Sequence, residues 1–350
     1  MTHSLCDSGV LLAAFSISPG VFWPYFLGAA ILIIGLAMAG KNELWQAHGA
    51  DKLIWFGPLS FAIAMAIFGG DHMVAAKFIA PTIPSWIPGH LFWAYFVGVA
   101  LIAAGLSLAT RIQWRLAALL LGIMIFLFVL ILHIPALFAA SRDQIKLTIA
   151  LRDLALSGGA LAIGVSQREQ QNGQHTVGRL EALGLGALVT KFQTITRFMV
   201  AIPIAVFGID QLLTPTFAPG IPQESSTFFV TLPAWIPGHS FWTYLSGTVF
   251  IVCGLGILTR KYARSAARFL GGSVLVLVLL VYVPLTVTKA SDVANGLNYL
   301  AIHLALAGSA LLLSASLPAL FSLAAQSGKL LSSRPFTKLN PIRRTNGSDI

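Results

Sequence analysis

Charged side chains are scarce in this chain. Lys, Arg, Asp and Glu make up only 10% of its 350 residues, against roughly 25% in soluble domains. That deficit excludes an ordinary water-soluble globule. Acidic residues are scarcest, 12 against 22 Lys and Arg, for a net charge of +10. Cysteine is limited to Cys6 and Cys253, far apart and in no CxxC pair. A disulfide framework and a dithiol redox motif are therefore not expected; Cys253 reads as small apolar filler and Cys6 as a free thiol. The first twenty residues lack a basic n-region, so no cleavable signal peptide is expected. A phosphate loop, a dinucleotide fingerprint and a nucleophile elbow are also missing, which removes the familiar soluble-enzyme chemistries.

Apolar residues fill the space. They are 57% of the chain, and its mean hydropathy is +0.82. Runs of about 18 to 25 apolar residues recur, each long enough to cross a bilayer as a helix. The runs predict an all-α integral membrane protein of nine spans, near 21–39, 54–70, 91–110, 114–138, 147–165, 196–213, 240–259, 266–288 and 299–323. The connections alternate in charge. One set, with the C-terminal tail, holds most of the basic residues, among them Lys41, Arg111, Arg115, Arg197, Arg264 and Arg344; the other holds only Lys77, Arg142, Lys146 and Lys289. Basic loops stay cytoplasmic, so the N-terminus is expected outside and the C-terminus in the cytoplasm. The positive charge then marks topology and contact with anionic lipid, not a nucleic-acid surface.

The chain also repeats itself. "IPSWIPGHLFWAYF" from Ile83 returns as "LPAWIPGHSFWTYL" from Leu232, and about half the residues between Pro84 and Arg111 are identical in the second copy. "AIFGGDHM" pairs with "AVFGIDQL", "LILHIPAL" with "LLVYVPLT", and "LRDLALSGGAL" with "AIHLALAGSAL". The offset is 139 before the motif and 149 or 150 after it, so the second copy has about ten extra residues in its first outer loop. An even number of helices per copy makes the repeat parallel, with a pseudo-two-fold axis along the membrane normal. The expected organisation is an extra helix and loop at 1–53, a first four-helix unit at 54–165, a linker at 166–195, a second unit at 196–323 and a basic tail at 324–350. Within the linker, "VGRLEALGLGALVTKF" is compatible with an interfacial helix; the tail reads as disordered. The pairs Gly28/Gly35, Gly98/Gly105 and Gly247/Gly254 share a spacing of about two turns, which suits close helix packing.

The polar residues fall in the outer third of the spans. Asp71 and His72 end the first helix of the first unit, and His90 follows the Pro-Gly turn of the motif. His133 returns near the same surface, and Arg152 and Asp153 lie one to two turns into the last helix. The second unit places Asp210, Gln211, His239, Tyr282 and His303 at matching depths. Several have structural readings. Trp86, Trp93 and Tyr95 suit an interfacial aromatic belt. His90 and His239 suit turn chemistry at a helix start. His133 and Tyr282 can serve carbonyls freed by Pro135 and Pro284. Arg152 and Asp153 are harder to explain structurally, because ionisable groups inside a span are expensive. Adjacent helix positions point about 100° apart, so Arg152 is expected to reach outward and leave Asp153 facing His72 or His133. The repeat then builds two similar polar pockets. The first, richer in acid and imidazole, is the more capable chemically.

The unit with "FGGDH" closing its first helix, then "FWAYFVGVALIAAGLSL" and "HIPAL", resembles the DoxX family of bacterial membrane proteins, over about 54–165 and again 196–323. Members are typically single four-helix units, so a tandem pair with an extra helix departs from the pattern. The resemblance implies a multi-pass protein of the bacterial inner membrane, sometimes a membrane subunit of a redox system with a soluble redox partner. It carries over no catalytic residues. A quinone-like lipid is the leading ligand, because it needs an apolar slot and a hydrogen-bonding head site. A carrier for a small hydrophobic or weakly acidic solute and a non-catalytic assembly factor are the alternatives. Haem and metal are poorly supported by histidines scattered over different helices.

Overall fold

In the computed structural model, residues 19–38, 49–139, 143–166, 186–216, 218–222, 238–288 and 293–317 are described. Among them there is no strand; the elements are helices throughout. The first is α1, Pro19–Met38. The first quartet follows as α2, Lys52–Val74, α3, His90–Thr110, α4, Trp114–Ala139, and α5, Gln144–Val165. The second quartet is α6, Gly186–Leu213, α7, His239–Leu258, α8, Ala263–Leu277 with its continuation to Thr288, and α9, Val293–Ser316. Eight helices, α2 to α9, are long and apolar enough to cross a membrane, and the apolar part of α1 is shorter. The chain is an all-α, multi-pass protein of the membrane type.

Several boundaries differ from expectation. α2 runs on past 70 to Val74 and takes Asp71 and His72 into its last turn. α6 starts at Gly186, inside the expected linker, so the leucine-rich stretch continues into a span from that residue. The linker residues 167–185 and the tail from 318 lie outside the described residues, as does Cys6. α5 starts at Gln144, where Asp143 accepts hydrogen bonds from the Ile145 and Lys146 N–H groups at 3.1 and 3.2 Å, a side-chain N-cap. Asp153 therefore lies about 13 Å along α5 at 1.5 Å per residue, further from the start of its helix than the one to two turns expected.

The quartets interlock. α2 does not lie along α5 of its own quartet but along α9 of the other, and α6 lies along α5. α5 and α9 also pack on each other, so each closes both halves. Small residues permit this. A Cβ on Gly308 would sit 2.6 Å from the Phe61 nitrogen, and one on Gly158 2.8 Å from Met199 Cβ. At the α5–α9 crossing, the Ser309 hydroxyl donates to Ala155 O at 2.7 Å. The two four-helix units thus pack as a single body in space. Close approach through glycine, with no side chain in the way, is the usual means of bringing membrane helices together.

The remaining helices face outward. In α9, 78% of the spanning window is buried, against 28% in α4, so α9 is central and α4 peripheral. Large apolar residues such as Phe92, Leu116 and Phe269 are exposed on the periphery, as lipid contact requires. At the end away from the tryptophan motif, arginines serve the last carbonyls of descending helices, where the helix dipole favours a cation. Arg115 donates to Ser166 O at 3.1 Å, and Arg264 to Leu317 O at 2.7 Å.

Candidate functional site

One cavity of about 590 Å³ opens in the first quartet, between α2, α3, α4 and α5 and under the segment Ile79–Ile87. Its wall is apolar, with Met65, Leu101, Met124 and Phe128 among the lining residues; His72, His133, Arg152 and Asp153 supply its ionisable groups. Three stretches far apart in sequence meet there because α2, α4 and α5 bring them to one cavity.

Asp153 is the hub. Its Oδ2 accepts the His133 Nε2–H at 2.8 Å, and its Oδ1 accepts the Arg152 Nε–H at 2.8 Å. Arg152 therefore does not reach away, as its position on the helix suggested. Its long side chain curls back, and the 100° step between Cα–Cβ directions sets no limit on a three-carbon stem. Both side chains are mostly shielded, 18% and 12% exposed, so pairing removes an isolated charge from an apolar wall.

His133 reaches Asp153 through a local widening of α4. Pro135 has no N–H to give Ile131, and the helix passes through a π turn at Val129–His133 in which the Ile134 N–H bonds Val129 O. The expectation that His133 would serve a freed carbonyl is not met; the backbone absorbs the proline, as π bulges do, and the imidazole is released to the carboxylate. α8 has the same π turn at Val278–Tyr282, next to Pro284. His72 donates from Nδ1 to Phe68 O at 2.8 Å. The root of this side chain packs where Gly98 of α3 has none: a Cβ there would be 2.9 Å from His72 Cβ.

Other expected site residues are not in this cavity. Asp71, next to His72, is not part of the lining. The His90 Nε2–H donates to Pro84 O at 3.2 Å, closing the Pro-Gly turn, while Gly89 before it takes φ +73°, a conformation glycine adopts without strain. Trp93 both lines the cavity and donates to Pro88 O at 3.1 Å. Trp86 is 71% exposed. Asp210 lies beside the Gln144 side chain at the start of α5. The side chain of His239 lies outside the described residues.

The second quartet overturns the expectation of two similar open pockets. Gln211, Tyr282 and His303 are fully buried around the chain's own segment Ala218–Pro222. The Tyr282 hydroxyl donates to Pro219 O. The Gly220 N–H donates to Gln211 Oε1 at 3.2 Å, and Gln211 Nε2 donates back to Gly220 O. The Ile221 N–H donates to His303 Nε2 at 3.1 Å. Tyr282 stacks on His303 with ring centroids 4.0 Å apart. Gly220 has φ +102°, and a Cβ on it would lie 2.4 Å from His303 Nε2. What remains open is a smaller apolar groove of about 270 Å³ beside Trp242.

This plug sits in the extra length of the loop after α6. Sequence reading counted the added residues but gave them no role. The available signal was their composition: "FAPGIP" is apolar where a surface loop should be polar. Ser246, which bonds Gln211, and Tyr299, beside Tyr282, were also missed. Among the described residues no group of three or more His, Cys, Asp or Glu is placed to hold a metal ion. No protein family, curated protein or solved structure matches the chain.

Proposed function

We propose that the chain is a DoxX-like protein of the bacterial inner membrane, its N-terminus outside and its C-terminus in the cytoplasm, whose first quartet binds a quinone-like lipid as the membrane subunit of a redox system. The observation that carries this reading is the shape and chemistry of the first cavity. Its volume, about 590 Å³, falls within the 300–1,000 Å³ typical of ligand sites. An apolar wall suits a ring and chain, and the Arg152–Asp153–His133 cluster with His72 suits an oxygen-bearing head. The family reading rests on the ordered helix patterns, and the orientation on the distribution of basic residues. A soluble redox partner would dock on the loops.

The test is equilibrium binding of a short-chain alkyl benzoquinone, in both redox forms, to the purified chain. Saturable binding is expected, weakened at least tenfold by Asp153→Asn and by His133→Ala and unchanged by Asp210→Asn. No saturable binding of either form, or binding indifferent to the first two changes, contradicts the reading. The depth of Asp153 favours a second reading, a carrier for a weakly acidic solute, since carriers hold substrate nearer the midplane. Solute flux in proteoliposomes that stops in Asp153→Asn would favour the carrier.

A further inference from the structure

The two quartets hold one site in two conditions, open in the first and occupied by the protein's own backbone in the second. The occupant shows what kind of atom each position asks of a bound group. By the repeat offsets, Gln211 stands for His72, Tyr282 for His133 and His303 for Asp153.

At the first position both quartets commit one polar atom to their own helix. His72 Nδ1 donates to Phe68 O at 2.8 Å, and Gln211 Nε2 donates to the equivalent Phe207 O at 3.3 Å. The other polar atom is left for the occupant. In Gln211 that atom is Oε1, which accepts the Gly220 N–H. In His72 it is Nε2. A carbonyl can only accept, so the proton of the neutral ring sits on Nδ1, and Nε2 is an acceptor too. The third position repeats the pattern. His303 donates from Nδ1 to Tyr299 O at 2.7 Å and accepts the Ile221 N–H on Nε2; its counterpart Asp153 is a carboxylate, an acceptor again. The plug therefore brings an N–H donor to both of these positions; at the second it brings an acceptor, Pro219 O, to the Tyr282 hydroxyl, whereas the counterpart His133 gives its Nε2–H to Asp153.

A quinone ring carries only acceptors. Its doubly reduced form carries two hydroxyl donors, while its oxygens still accept from Arg152, whose bond to Asp153 runs through Nε. A quinone oxygen against His72 Nε2 would set lone pair against lone pair in an apolar site, where an unmade hydrogen bond is expensive. Gln211 meets Gly220 O by turning Nε2 to it as well, an option that imidazole lacks. We propose that the first cavity holds the hydroxyl-bearing quinol form of its ligand in preference to the quinone; this rests on the reading above that the ligand is a quinone-like lipid.

The experiment is anaerobic equilibrium binding of decyl-ubiquinol and decyl-ubiquinone to the full chain in lipid nanodiscs. The quinol is expected to bind at least tenfold more tightly. His72→Gln, which adds a donor, should bring the ratio towards one by improving quinone binding; His72→Leu should weaken the quinol and leave the quinone nearly unchanged. Equal affinities, or a tighter quinone, in the wild-type protein overturn the inference while the proposed function stands. A ratio untouched in both variants overturns the role given to His72. Binding of neither form overturns the proposed function and the inference with it.

Discussion

Asp153 is the residue on which the open cavity depends. It accepts from one cation and one imidazole within an apolar wall, so removing it leaves the Arg152 charge without its acid. Asp153→Ala is expected to lower stability by about 3 kcal/mol, the scale for a shielded pair that loses one member. The double change Arg152→Leu with Asp153→Leu should cost less than Asp153→Ala alone, because no lone charge remains. Thermal unfolding in detergent measures both; a double variant less stable than the single one would mean that the pair adds net stability. The types and depths of these residues were legible in the sequence, since ionisable groups in apolar runs stand out. His133 was one of the two partners expected for Asp153, and it is the one found; the turn of Arg152 back onto the same carboxylate was not legible. A periodicity argument gives the direction of Cβ, whereas the hydrogen bonds of Arg152 and His90 depend on where a long or flexible side chain ends.

At the scale of elements, an added loop decides the difference between the quartets. Both carry the same π turn before the same proline, which presents His133 in one and Tyr282 in the other to the site. The loop that carries Ala218–Pro222 then fills the second site. Gly220→Val is expected to expel this segment, because a side chain there would enter the space of His303, and an L residue at φ +102° is strained as well. A thiol placed by Ile221→Cys reports the outcome. Ile221 is fully buried, so the thiol should react slowly with a maleimide in the otherwise native chain and rapidly when Gly220→Val is added. Equal rates would show that the segment does not need a glycine there. The helices themselves were readable from apolar length alone, because a bilayer imposes it. The plug was not, because a loop that folds back into a bundle obeys contact chemistry and not periodicity.

In the whole molecule, the exchange of partners between α2 and α6, each lying on the last helix of the other quartet, makes the halves interdependent. The duplication was visible in the sequence, but the packing between the units was not; nothing in a repeat states which copy of its last helix its first helix will choose. A chain cut within 167–185 should therefore yield halves that co-purify when made together and are degraded when made alone. Independent stability of either half would argue against the interlock. Gly308→Leu, which pushes α9 off Phe61, should weaken the co-purification. Among the described residues, the arrangement leaves one open polar cavity where two were expected. The most direct measurement of that is the number of short-chain quinol or quinone molecules bound per chain at saturation. One is predicted, falling to none when Ala94→Phe fills the first cavity; two per chain, or one that survives Ala94→Phe, would contradict the account.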